Sequence, residues 1–261
     1  KGANLSFTDM GCASVVSCQL EGASFKGANL SEARFSDILE KSAYKWNVRG
    51  TMMSGLNYFG LGEPKSIIAP SNLSNVNFDN AILDSAGLNG VDLDGASLRG
   101  TYLKEASLIR TNLSKADLLG ACLQKTVIWS TNFTEANLTK TDLSNANMNS
   151  TVFERANLSS ALLDYSKGKG ISFKDAIMNN ASLQHVRLTD NVFMGLFIWL
   201  YAAITREKHS SLPELFTYYL SLTDFSGALL ENANLFRAKI PKHVIPQAKS
   251  LEGAMLPNGK V

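Results

Sequence analysis

A five-residue period running from Ser71 to Phe193 leaves this chain few ways to fold. Taken in fives, a large apolar residue stands third in 24 of 25 consecutive pentads, from Leu73 through Phe193, and only Gly168 breaks the series. Two residues before each centre lies a small or β-branched side chain: twelve Ala, six Thr, three Val, two Ser, one Ile and one Asn. Neither the helical period nor the two-residue strand period accommodates this spacing. A chain that turns a corner after each short extended segment does, sending the centre and the small residue inward. Closing four such sides takes twenty residues, and Phe133, Phe153, Phe173 and Phe193 recur at that interval, which predicts one aromatic column. Ala96, Ala116, Ala136, Ala156 and Ala176 keep the same interval.

Each part of the pentad has a physical reason. The central Leu or Phe fills the interior, where burial contributes roughly 1.5–3 kcal/mol per side chain, and Ala beside it lets the backbone turn close by. Asn and Asp favour the corners because their side chains bond nearby amides. Successive coils then hydrogen-bond about 4.8 Å apart. The runs Ala3-Asn4-Leu5, Ala28-Asn29-Leu30, Ala116-Asp117-Leu118, Ala136-Asn137-Leu138, Ala156-Asn157-Leu158 and Ala233-Asn234-Leu235 resemble the A-[D/N]-L-x-x motif of the pentapeptide-repeat proteins. The resemblance extends over most of the chain. It implies an all-β solenoid, a right-handed quadrilateral β-helix with about four pentads per coil; the handedness comes from the resemblance alone.

In chain order, pentads centred on Leu5, Met10, Val15, Leu20, Phe25, Leu30 and Phe35 open a single domain expected to span residues 1–261. No cap is visible upstream, so the chain reads as a fragment or a processed form. Residues 36–70 read as an interrupted coil with a loop: helical turns at 36–45, pentads again around Val48, Met53 and Tyr58, then Leu61 to Lys65 with Pro64 breaking the pairing. Residues 191–222 change period. Phe193, Leu196, Phe197, Leu200, Ala203 and Ile204 fall at helical spacing, and a second helix is expected from Leu212, with Ser211 and Glu214 in capping-box positions. This predicts an inserted α-helical hairpin near the C-terminus, packed on the rod, forming a homodimer or partner contact, or lying shallowly on a membrane; its uncharged first segment, Asn191 to Thr205, is too short to cross a bilayer. Residues 223–261 are expected to form the last coil and a cap, with Pro241, Pro246 and Pro257 ending the pairing.

The pattern points to surfaces rather than to chemistry. From Ser71 to Asp190 there are eleven Lys or Arg against twelve Asp or Glu. The rod therefore lacks the strong acidity that imitation of duplex DNA would need, as in the quinolone-resistance pentapeptide proteins that bind DNA gyrase, and direct nucleic-acid binding is not expected. Cys12, Cys18 and Cys122 form neither a metal spacing nor an even disulfide set, and Cys18 takes an inward position. No catalytic, cofactor or metal motif occurs; the chain is not read as an enzyme, and catalysis, if any, would lie in a longer effector or enzyme of which this is the repeat domain. The segment SKGKG, Ser166 to Gly170, lacks the context of a phosphate loop and reads as a corner bulge. Apolar residues nevertheless group on outward positions: Ile82, Tyr102, Cys122 and Leu162 on one face, interrupted by Asp142, and Ile109, Val127 and Trp129 on its neighbour. Together with Phe197, Trp199 and Tyr201 they are the candidate contact surface, for a protein partner or for the chain's own insertion. The favoured reading is a non-catalytic scaffold for protein–protein interaction.

Overall fold

The structure, a computed structural model, describes residues 2–15, 18–35, 71–190 and 223–260. Each pentad there makes one side of a four-sided coil. The residue before each centre points outward and pairs in parallel with the residue twenty further on, as in the series Asn72, Asp92, Asn112, Asn132, Val152 and Ser172. The centre's amide donates to one neighbouring coil, Leu73 N to Asp92 O at 2.8 Å, and the outward residue's amide to the other, Asp92 N to Ser71 O at 3.2 Å. Both backbone groups of a very short extended segment are thus satisfied. Four faces result, headed in this run by Asn72, Asn77, Ile82 and Gly87. They are called the first to fourth faces below, and the edge joining the fourth to the first is the closing edge.

Corners form because the last pentad residue adopts a left-handed backbone. Val76 N donates to Leu73 O at 3.1 Å while Asn75 has φ 56°, the geometry of a type II turn. Lys115 and Glu135 take the same conformation, at a local cost of roughly 1–2 kcal/mol for a residue with a Cβ, which the stacking of the coils offsets. Outward Asn side chains support the turn: Asn72 Oδ1 accepts from Ser74 N at 3.0 Å, and Asn132 Oδ1 from Thr134 N at 3.0 Å.

Centres and small residues fill the interior, and nearly all those from Leu73 to Leu188 are buried. Threonine is tolerated there because its hydroxyl finds a main-chain acceptor. Thr101, Thr111 and Thr141 donate to the carbonyls of Phe78, Leu88 and Leu118 at 2.8, 2.7 and 2.9 Å. Phe133, Phe153 and Phe173 stack at 5.0 and 5.1 Å. The next ring in this column is Phe225, 4.9 Å from Phe173, in the place that counting twenty residues assigns to Phe193, which lies outside the described residues.

The reason is how the rod handles interruptions. Gln19 pairs with Asn72 and Arg34 with Gly87; likewise Ser172 pairs with Asp224 and Arg187 with Lys239. Coils on either side of each break therefore stack directly. The pentads read at 46–60 lie outside the described residues. Both breaks also leave from the closing edge, after the fourth-face residues Arg34 and Arg187, and the chain returns on the first face at Asn72 and Asp224. The helices expected at 36–45 and 191–222 also lie outside the described residues.

No bulge interrupts Ser166 to Gly170. Strand β1, Lys167–Lys169, pairs in register with β2, Arg187–Thr189, Gly168 facing Leu188. The missing centre at Gly168 is compensated next door: a Cβ there would lie 2.5 Å from Ile171 Cδ1 and 2.9 Å from Met148 O. Ile171 fills the space that the absent side chain leaves. Past Ile240, the short 3-10 helix Ile245–Gln247 leads into residues that pair Ser250 with Leu229 and Met255 with Asn234.

Candidate functional site

Outward positions of the third face stack into one line, Ile82, Tyr102, Cys122, Asp142 and Leu162, each bridged to the next. Ile82, Tyr102 and Leu162 are 39%, 50% and 42% exposed, a large apolar display for positions that the register directs into water. Cys122 is half-buried in this line, and burial, followed by the Asp142 and Asp84 carboxylates, raises its thiol pKa against the lowering effect of Gln124. Asp142 interrupts the apolar column; its Oδ2 accepts from Gln124 Nε2 at 2.8 Å.

The remaining described candidates sit elsewhere. Val127 is outward on the fourth face, whereas Ile109 and Trp129 occupy the closing edge, one coil apart, with Arg110 N donating to Trp129 O at 2.7 Å. All three are half-buried. Beside them Asn89 and Ser107 are buried, Asn89 Oδ1 accepting from Ser107 Oγ at 2.7 Å and Ile109 N at 2.9 Å. Trp129 Nε1 is buried without a hydrogen-bond partner. The fourth face separates Tyr102 from Trp129, so these residues form two surfaces, not one. Phe197, Trp199 and Tyr201 lie outside the described residues.

One exposed feature escapes a reading by apolar pattern. Between the third and fourth faces, Tyr165 and His185 stack at 4.8 Å and 5° between planes; Phe236 meets His185 edge-on at 6.5 Å, and the Arg237 guanidinium lies 5.0 Å above the Phe236 ring. The available signal is that Tyr165 and His185 share a corner position twenty residues apart.

Among the described residues, ionisable groups form no reacting constellation. Among the described residues no three His, Cys, Asp or Glu side chains gather as a metal site, and no helix is long and apolar enough to cross a membrane. Asp190 Oδ1 accepts from Thr223 N at 3.0 Å and lies 3.6 Å from His243 Nε2, tying the coil before the second break to the coil after it and to the tail. An open depression beside it is lined by Leu188, Thr189, Asp190, Lys239, Ile240 and Pro241.

With this geometry in place, a family profile described as Pentapeptide repeats matches residues 1–37, 71–100, 92–129 and 130–164, in eight copies. Similar solved structures include HetL, a pentapeptide repeat protein involved in heterocyst differentiation regulation from the cyanobacterium Nostoc sp., at 21% identity over 98% of this chain and 92% of that one, with a TM-score of 0.28. Full-length QnrB1, a plasmid-mediated fluoroquinolone resistance protein, is 14% identical over 98% of this chain and 90% of its own, with a TM-score of 0.39. A pentapeptide repeat protein from the Arabidopsis thaliana thylakoid lumen is 29% identical over 41% of this chain and 60% of its own, with a TM-score of 0.18. No curated protein sequence matches the chain.

Proposed function

The chain belongs to the pentapeptide-repeat family, whose members fold as right-handed quadrilateral β-helices, and from that premise we propose that it is a non-catalytic scaffold whose third face receives a protein partner. The observation that carries this reading is the outward column of Ile82, Tyr102, Cys122 and Leu162, in which Ile82, Tyr102 and Leu162 are exposed. A flat ladder of side chains held by main-chain pairing is preorganised, so a partner meets it with little ordering cost. Tyr102, half exposed at the middle of the apolar stretch, is the natural anchor, since aromatic side chains carry a disproportionate share of interface energy. Imitation of duplex DNA fits this rod poorly, because its fourth face carries a column of cations, Lys167, Arg187 and Lys239.

The test is a capture experiment from the native source with wild type, Tyr102→Asp and, as a matched control on the second face, Asn137→Asp. A protein retained by wild type and by the control but lost with Tyr102→Asp supports the reading. Retention by all three removes the third face from consideration.

A further inference from the structure

The outward column of the third face has the same order of chemistry from either end. Its rungs carry Ile82, Tyr102, Cys122, Asp142 and Leu162, each in parallel register with the next. Cys122 is the midpoint, and an exposed aliphatic residue lies two rungs away on each side. One rung away stand groups of complementary kind: Tyr102, half exposed, whose hydroxyl makes no hydrogen bond among the described residues, and the Asp142 carboxylate. Asp142 Oδ1 accepts from Ser144 N and Oδ2 from Gln124 Nε2, both at 2.8 Å. Each oxygen keeps a second lone pair for another donor.

A column ordered in this way is its own complement. In a two-fold contact, a residue that meets another across the dyad is met by it in return. With a second copy turned end for end and the dyad at Cys122, Ile82 meets Leu162, Tyr102 meets Asp142, and Cys122 meets itself. The interruption at Asp142 then has a use, because a carboxylate enclosed by apolar surface needs a donor and the tyrosine hydroxyl supplies one. Rods docked parallel would instead bring Asp142 onto Asp142 and Lys104 onto Arg99, like charges pressed together as water leaves. Sliding the antiparallel copy by one rung sets Leu162 against Asn29 or Ile82 against Ser182. The like-charged pairings of the favoured register, Asp84 with Asp164 and Lys125 with itself, fall at the rim and are already answered. Asp84 Oδ1 accepts from Lys104 N at 2.8 Å, Asp164 Oδ1 from Gln184 N at 2.8 Å, and Lys125 pairs with Glu105 at 3.2 Å.

We propose that the protein received by the third face is a second copy of this chain, docked antiparallel about Cys122. The proposal rests on the reading of that face as a partner surface and adds the identity of the partner. Five rungs about 4.8 Å apart give a contact roughly 20 Å long, at the small end of specific interfaces. The dimer therefore forms reversibly, with concentration.

Sedimentation velocity of the full chain over a range of concentrations is expected to show a monomer–dimer equilibrium. Tyr102→Asp sets carboxylate against carboxylate at two symmetric places and should raise the dissociation constant at least about tenfold. Tyr102→Lys is no less polar, yet it puts an ammonium before Asp142 of the second copy and should keep the dimer. Circular dichroism establishes that both variants fold. Without any change at Tyr102, a short bismaleimide should join two chains through Cys122, a product kept with Cys12→Ser and lost with Cys122→Ser; this decides the matter should either Tyr102 variant misfold. A monomer at every concentration, a dimer indifferent to Tyr102→Asp, equal dissociation by Tyr102→Asp and Tyr102→Lys, or a cross-link that survives Cys122→Ser overturns the proposal. The broader reading fails separately: a chain that stays monomeric but captures a different protein through Tyr102 keeps the third face as a partner surface and removes the second copy from it.

Discussion

Two stacks of rings climb this molecule side by side. Inside, Phe133, Phe153, Phe173 and Phe225 follow at 5.0, 5.1 and 4.9 Å, all fully buried. Outside, Tyr165 and His185 stack at 4.8 Å, with Tyr165 60% exposed. The spacing is the same because it is the distance between coils, which side chains twenty residues apart inherit. The consequences differ because only the inner stack is removed from water. Register decides where a side chain goes, and burial decides what its presence is worth.

The sharpest way to break that comparison is to delete one ring from each stack. Phe153→Ala is expected to cost about 3–5 kcal/mol, as for other large-to-small core changes, read from the denaturant midpoint at unchanged slope. Tyr165→Ala leaves an exposed site and is expected to cost under about 1 kcal/mol. Similar costs for the two would show that stacking itself, rather than burial, stabilises the rod.

Next in size is the place where the pentad rule lapses. Gly168→Leu restores the sequence pattern, yet Ile171 Cδ1 already occupies the space, so overpacking should destabilise by about 1–3 kcal/mol. Ile171→Ala alone opens a cavity and also destabilises. Combining them exchanges a large residue for a small one at adjacent positions, and the double variant should recover most of the loss; a purely additive double-mutant cycle would sink the compensation argument.

How much of this was legible beforehand follows from the same division. Inward positions could be read down to single residues, because Leu, Phe and Ala recur wherever a side chain must fill or clear the interior. The Gly168 exception could be seen but not its remedy, since Ile171 counts as one more small-site residue until both side chains are placed in one volume. Counting twenty residues assigns Phe193 to the column, whereas the ring next to Phe173 is Phe225, because the described coils on either side of the break pair directly. The surface was least legible. Eleven cations against twelve carboxylates hides the Lys167, Arg187 and Lys239 column, because solvent tolerates many arrangements of charge and no period marks the one chosen.

A smaller effect probes the polar side chains inside. Thr111→Val keeps the shape of a residue whose hydroxyl donates to Leu88 O at 2.7 Å. Val76 and Val91 already serve at equivalent buried positions, so the expected cost is only the net worth of the hydrogen bond, about 1 kcal/mol. A loss as large as that of Phe153→Ala would mean that these threonines, and not the aromatic column, hold adjacent coils together.

The smallest effect is chemical. Cys122 lies half-buried on the third face, and burial first, then Asp142 and Asp84, favours its neutral thiol. Thiolate is the species that alkylates, so iodoacetamide should label the exposed Cys12 well before Cys122 at neutral pH, the Cys122 rate continuing to climb above the pH at which an ordinary thiol levels off. Asp142→Asn removes one raising charge and should move that profile to lower pH with little change in stability. A raised thiol pKa contributes stability below the unfolded-state value and loses it as pH rises through the folded one, so any destabilisation belongs on the alkaline side. If a partner covers the third face, its binding should slow Cys122 labelling further while leaving Cys12 alone. Protection of Cys12 and not Cys122 would move the partner off the Ile82 to Leu162 column, toward the first coils, where the pentad of Cys12 lies.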